Sequence, residues 1–165
     1  MVNKNILISV IILIAGCAVY YFFFYQSDER AVQKRFDLLA ENVSKDSDES
    51  QLIMIKRLAV IERAFTQSVH FEIENRSGAG EYSSREIARR AGGARTRFTR
   101  LTLKFYDVDI DLQGQTAAVM ATARITGNKK NGEQVAETRE LEFGLQKKNG
   151  TWLIAEVKAI EVLEK

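Results

Sequence analysis

The 165-residue sequence contains no proline, one cysteine, one histidine and one tryptophan. The missing proline argues against a Pro-rich linker or stalk. A single cysteine, Cys17, excludes an intramolecular disulfide and a Cys-rich metal site. No nucleophile triad, metal-ligand spacing or phosphate-binding loop is present, so no motif announces a reaction. A basic excess is missing as well. The chain carries 24 Lys and Arg against 22 Asp and Glu, and all of them except Lys4 lie beyond Gln26. A near-neutral domain without aromatics interleaved among its basic residues argues against nucleic-acid binding.

What the sequence does have is one long apolar run. Ile6 to Phe24 is nineteen residues without a charge. At about 1.5 Å per residue it approaches the roughly 30 Å hydrocarbon thickness of a bilayer. Tyr20, Tyr21 and Tyr25 stand at its end, where amphipathic rings favour the membrane interface. Inside the run, Ile14-Ala15-Gly16-Cys17 has the form of a lipoprotein cleavage box, behind a basic tip at Lys4 and an apolar region of suitable length. The residues after Cys17 argue the other way. Ala-Val-Tyr-Tyr-Phe-Phe-Phe-Tyr is apolar, where a mature lipoprotein usually begins with polar, flexible residues. Two outcomes stand: an uncleaved single-pass anchor, which is preferred, and lipidation at Cys17. Both tether residues 26–165 behind an anchor or signal of residues 1–25. The flanking charges are mixed, with Arg30, Lys34 and Arg35 among Asp28 and Glu29. The short basic tip favours an inner-membrane protein whose domain faces the periplasm or cell exterior.

The rest of the chain changes period twice. Ser27-Asp28-Glu29 reads as a helix start, with Val32, Phe36, Leu39 and Val43 at helical spacing. After the polar break of residues 44–50, a second helix is predicted from Glu49 to Thr66. Val69, Phe71 and Ile73 alternate with His70, Glu72 and Glu74, as in a half-buried strand. Ser83-x-x-Glu86 is a capping box for a third helix, which Gly92-Gly93 weakens. From Thr99 onward the alternation is that of strands. Its phase switches near Phe105, which predicts a β-bulge there. Gln113-Gly114-Gln115 predicts a tight turn, Gly127 to Gln134 a loop, and Asn149-Gly150 a hairpin. Trp152 and Ile154 are expected on one side of the last strand, with Leu153, Ala155 and Val157 on the other. The fold class is α+β: an N-terminal transmembrane helix, then helices packed on a bent antiparallel sheet.

"LEFGLQKKNGTWLIAEVKAIE" and the preceding "GQTAAVMATARIT" resemble the closing strands of the nuclear transport factor 2-like superfamily, the cystatin-like cone. The resemblance spans residues 28 to 162. It implies a cone that hosts isomerases, cyclases and dehydratases in some members and binding or membrane-tethered assembly modules in others. A membrane segment ahead of this fold looks most like the last group.

The candidate residues follow from these patterns. His70, the only histidine, serves as an acid or base if its side faces the cone, and is otherwise a solvent-side strand residue. Asp107, Asp109 and Asp111 share one strand side, yet stand about 7 Å apart, too far for one cation to meet all three unaided. Adjacent Tyr106 and Asp107 are expected on opposite faces. "SREIARRAGGARTRFTR" places Arg85, Arg89, Arg90, Arg95, Arg97 and Arg100 against one acid, Glu86. Such an edge suits lipid headgroups or an acidic partner, unless it is a solvated face paired with nearby acids. Phe65, Phe71, Phe98, Phe105, Phe143 and Trp152 are apolar candidates for a cavity. The expected function is a membrane-anchored, non-catalytic binding or assembly module that contacts envelope proteins or itself. The alternative is a small-molecule-binding protein or an isomerase- or dehydratase-type enzyme. No cofactor or metal is expected.

Overall fold

A computed structural model describes residues 4–72 and 79–160, and of residues 4–11 and 17–26 the backbone alone. The side chain of Cys17, the expected strand residues Ile73 and Glu74, and Val162 lie outside this description.

The first element, α1 (Lys4–Val43), is one 40-residue helix. The helix start expected at Ser27 is therefore mid-helix. Nothing after Gly16 interrupts it, since proline is absent and a lone glycine costs only about 1 kcal/mol. Val32, Phe36 and Leu39 are buried along its inner stripe. Ile12, Leu13 and Ile14, the large apolar side chains described in the run 6–24, are all more than 60% exposed. Among the described residues no helix is long and apolar enough to cross a membrane, so the structure lends the transmembrane expectation no support.

Ser50 caps α2 (Gln51–Ala64), its hydroxyl accepting from the Ile53 N–H. The chain then passes straight into β1 (Phe65–Glu72), so Phe65 and Thr66 belong to the strand. A short β2 (Gly80–Ser83) pairs with it. The capping box is formed: Ser83 Oγ accepts from the Glu86 N–H, and the Glu86 carboxylate accepts from the Ser83 N–H, opening α3 (Ser84–Thr96). Ser83 also holds the Glu86 carboxyl below its usual range, helped by Arg89 and Arg90. A depressed folded pKa adds stability that is complete above the unfolded value and lost as pH falls through the folded one. Glu86→Gln is therefore expected to lower stability at neutral pH and to differ little from the parent in acid, flattening the acid limb of a stability–pH curve, as urea midpoints across pH would record.

Four long strands complete the chain: β3 (Phe98–Gln113), β4 (Thr116–Lys129), β5 (Gln134–Lys148) and β6 (Thr151–Ala159). The sheet order is β2-β1-β6-β5-β4-β3. The meander from β3 to β6 is antiparallel as expected, but β1 and β6 are parallel, so the sheet is mixed. The reason is topological. The meander closes on β1 after the α3 crossover, and β6 then runs in the same direction as β1.

The register departs from ideal at informative places. The shift between Tyr106 and Asp109, with Asp107 at φ 50, is the bulge that the change of phase predicts. Asn149 (φ 50) and Gly150 (φ 75) make the hairpin turn. On β6, a shift against both neighbours buries Val157 on the same side as Trp152 and Ile154, contrary to the expected alternation. One extra residue in a strand moves everything beyond it to the other face. Gly127 lies inside β4 and not in a loop. A Cβ there would stand 2.6 Å from the Arg100 carbonyl oxygen and 2.9 Å from Phe98. Gly127→Ala is expected to cost about 1–3 kcal/mol, read as a lower urea midpoint.

The core lies between the inner sheet face and the three helices. Val69, Val119, Phe143, Leu145, Trp152 and Ile154 meet Val32, Phe36, Ile61 and Ala88 there.

Candidate functional site

The interior of the cone is occupied by its own aromatic side chains. Phe36 of α1 meets Phe105 edge-on at 5.2 Å and Phe143 at 4.9 Å, and those two are 5.8 Å apart. These are the separations at which aromatic rings attract. Trp152 is almost fully buried, and Phe71 packs at the margin against Tyr82, 5.5 Å away. Of the expected cavity residues, Trp152 is buried in the core, and Phe71 and Phe105 pack partly buried against it. Beside α1 lies an open cleft of about 270 Å³ lined by Glu29, Arg30, Gln33, Val108 and Ile110. Nearby in sequence, Arg35 has a buried Nε with no partner among the described residues, and burial lowers its pKa.

Asp28 holds the end of the cone at which α1 leaves it. Its carboxylate accepts from Lys147 Nζ at 2.6 Å and from Trp152 Nε1 at 3.2 Å. The sequence gives no sign of this clasp, because the partners are 119 and 124 residues away.

His70 takes the outer side of the sheet, about half exposed and away from the aromatic interior. Its Nδ1 is 3.4 Å from Glu81 Oε1, and Ser68 donates to the same carboxylate. His70, Glu72 and Glu156 present ligand atoms within 4.8 Å of one another. The Lys158 ammonium already serves both acids, at 3.3 Å from Glu156 and 4.0 Å from Glu72. Glu156 accordingly raises the Lys158 pKa, with smaller contributions from Glu142 and Glu72. A groove of about 400 Å³ runs from His70 and Glu156 across Gly144 and Ala118 to Gln113. Gly144 gives Glu156 room, since a Cβ there would stand 3.1 Å from the Glu156 Cβ.

The three aspartates divide. Asp109 and Asp111 pair with Met120 and Ala118 on the outer face, while Asp107 is the bulge residue. The bulge also leaves Tyr106 on that face, opposite Thr122 and 43% exposed.

The arginines divide too. Arg85, Arg89, Arg90, Arg97 and Arg100 are exposed. Arg85 reaches Glu62 at 3.8 Å, and Arg90 lies 4.5 Å from the centroid of the Tyr82 ring. Arg95 does not belong to this edge, for it is wholly buried. It donates to the carbonyls of Asn42, Val43 and Ser44 at the end of α1 and to both oxygens of Glu49. Arg57 reaches Glu49 at 3.1 Å and the Glu41 and Ser44 carbonyls. Arg95 thus supplies donors that the last turn of a helix lacks.

Helices covering one face of a curved six-stranded sheet, with the core between them, define a cone of the nuclear transport factor 2-like kind. The chain belongs to the SnoaL-like domain family, whose pattern matches residues 52–158. Its fold is similar to that of a hexachlorocyclohexane dehydrochlorinase of Novosphingobium barchaimii (TM-score 0.64, 9% identity, covering 82% of this chain and 87% of that one). It is also similar to a Kribbella flavida protein (0.68, 11%, 86% and 95%) and to the association domain of C. elegans CaMKII (0.54, 16%, 83% and 95%). At these identities the likeness is one of fold. No curated protein matches the sequence.

Proposed function

We propose that this SnoaL-like chain is a non-catalytic binding or assembly module, carried on α1 and tethered to a membrane by residues 6–24, with its domain facing the periplasm or cell exterior. The observation that carries the non-catalytic reading is the packed aromatic interior of Phe36, Phe105 and Phe143. A reaction in the cone needs room for a substrate beside a positioned acid or base, and the single histidine lies on the outer face. The tether reading rests on the sequence alone, on the uncharged run from Ile6 to Phe24. The contact surfaces are the outer face of the sheet and the exposed arginines 85, 89, 90 and 97, facing envelope proteins or a second copy.

The test is purification of the full-length protein from its own host in mild detergent, followed by mass spectrometry of the intact chain and of whatever accompanies it. Stoichiometric envelope proteins, lost on charge reversal at Arg89, would support the module. A mature mass beginning at a lipidated Cys17 would replace the spanning helix by a lipid anchor. Recovery from the soluble fraction without detergent would remove the tether.

The second reading, a small-molecule-binding protein or an isomerase- or dehydratase-type enzyme, draws on the open cleft between α1 and β3. A dehydrochlorinase with this fold is consistent with it. A small molecule co-purifying in place of proteins, and displaced by Gln33→Trp, would favour that reading.

A further inference from the structure

The outer face of the sheet holds a cleft separate from the cone interior. Lys104 of β3 stands directly opposite Arg124 of β4, and Thr102 opposite Thr126. With Tyr106 these four line a depression of about 260 Å³. Like charges directly opposite each other weaken a strand pair. Neither Lys104 nor Arg124 joins an ion pair among the described residues. Acids on the same face sit further along the sheet: Glu140 opposite Thr122, one row on, and Asp109 opposite Met120, two rows on. Two cations are thus placed together, and although Glu140 lies diagonal to Arg124, no ion pair among the described residues offsets the cost.

An anion from outside would offset it, and the donors indicate its shape. Arg124 offers a planar fork, Lys104 three N–H groups, and Thr102 and Thr126 a hydroxyl each. That is more than the two oxygens of a carboxylate use. It suits the three free oxygens of a phosphate monoester, which also accept charge-assisted bonds. Tyr106 offers an exposed ring at the margin for the organic part of the ligand. The residue after it, Asp107, is the left-handed bulge. Bulges of this kind re-aim the neighbouring side chain and recur beside binding sites.

We infer that this outer cleft binds a phosphate monoester, with Lys104 and Arg124 on the phosphoryl oxygens and Tyr106 against the esterified group. The site goes beyond the module reading and does not depend on how α1 is anchored.

The test is calorimetric titration of the full-length protein in detergent at fixed ionic strength, with phenyl phosphate, inorganic phosphate and benzoate as probes. Phenyl phosphate is expected to bind saturably, inorganic phosphate more weakly, and benzoate not at all. Lys104→Gln and Arg124→Gln should each weaken phenyl phosphate about tenfold or more, the loss of one charge-assisted bond. Each should also raise the melting temperature of the ligand-free protein, because the repulsion is gone. That second readout separates a binding role from simple unfolding. Absence of saturable binding, or an affinity unchanged from the parent in both variants, would overturn the inference. So would variants that turn a sedimenting dimer into a monomer with phosphate binding unmoved, since the cations would then face the acids of a second copy.

Discussion

Replacing Arg95 by methionine is expected to destabilise the protein by about 3–5 kcal/mol, the cost of breaking a buried ion pair from one side. The methionine fills much of the volume, so the loss is chiefly electrostatic. Glu49, only 4% exposed in its side chain, would keep Arg57 but lose its closer partner. The carbonyls of Asn42, Val43 and Ser44 would lose a donor at the buried end of α1. The double replacement Arg95→Met with Glu49→Gln should recover part of the loss, because no uncompensated carboxylate remains. Urea midpoints of the two single variants and the double variant, taken as a cycle, measure the coupling. Additive effects would show that Arg95 and Glu49 act separately. A single variant as stable as the parent would mean that solvent reaches this corner and that the pair is a surface one.

Replacing Phe36 by alanine is expected to cost a similar amount, about 3–5 kcal/mol, for a different reason. Phe36 is fully buried and joins two other rings edge-on, so its removal takes away transfer energy and both aromatic contacts and leaves a void. Apolar voids of this kind stay dry and accept small apolar guests. The variant should therefore be stabilised by benzene or xenon, and the parent should not. A cost below 1 kcal/mol would show that the aromatic interior has slack. The small-molecule reading would then gain over the module.

Much of the sheet could be read directly from the sequence, because a strand with one buried face writes its alternation into neighbouring residues. Val119, Ala121, Phe143 and Leu145 alternate as they pack. The bulge at Asp107 and the turn at Asn149-Gly150 are visible for the same local reason. What stays hidden depends on distant partners. Arg95 looks like its exposed neighbours until Glu49, 46 residues earlier, is brought against it. Asp28 looks like a helix-capping acid until Lys147 arrives from the far end of the chain. The parallel pairing of β1 with β6 is a property of the closed topology and belongs to no single stretch. The outer cleft is hidden in the sequence because Lys104 and Arg124 are twenty residues apart, and only the β3–β4 register makes them neighbours.

The unbroken course of α1 makes it a ruler and a protractor together. Its inner stripe is locked into the core through Val32, Phe36 and Leu39, and Asp28 is clamped to Lys147 and Trp152. An α-helix advances about 1.5 Å and turns about 100° per residue. Each residue inserted between Gly16 and Ser27 would therefore swing the domain by about 100° around the axis of α1, relative to whatever grips its first half. An insertion of seven, close to two full turns, would nearly restore the original bearing at a greater height. Activity that follows this rotary period would mean that the domain must point in a set direction, and activity indifferent to it would mean that α1 supplies reach alone.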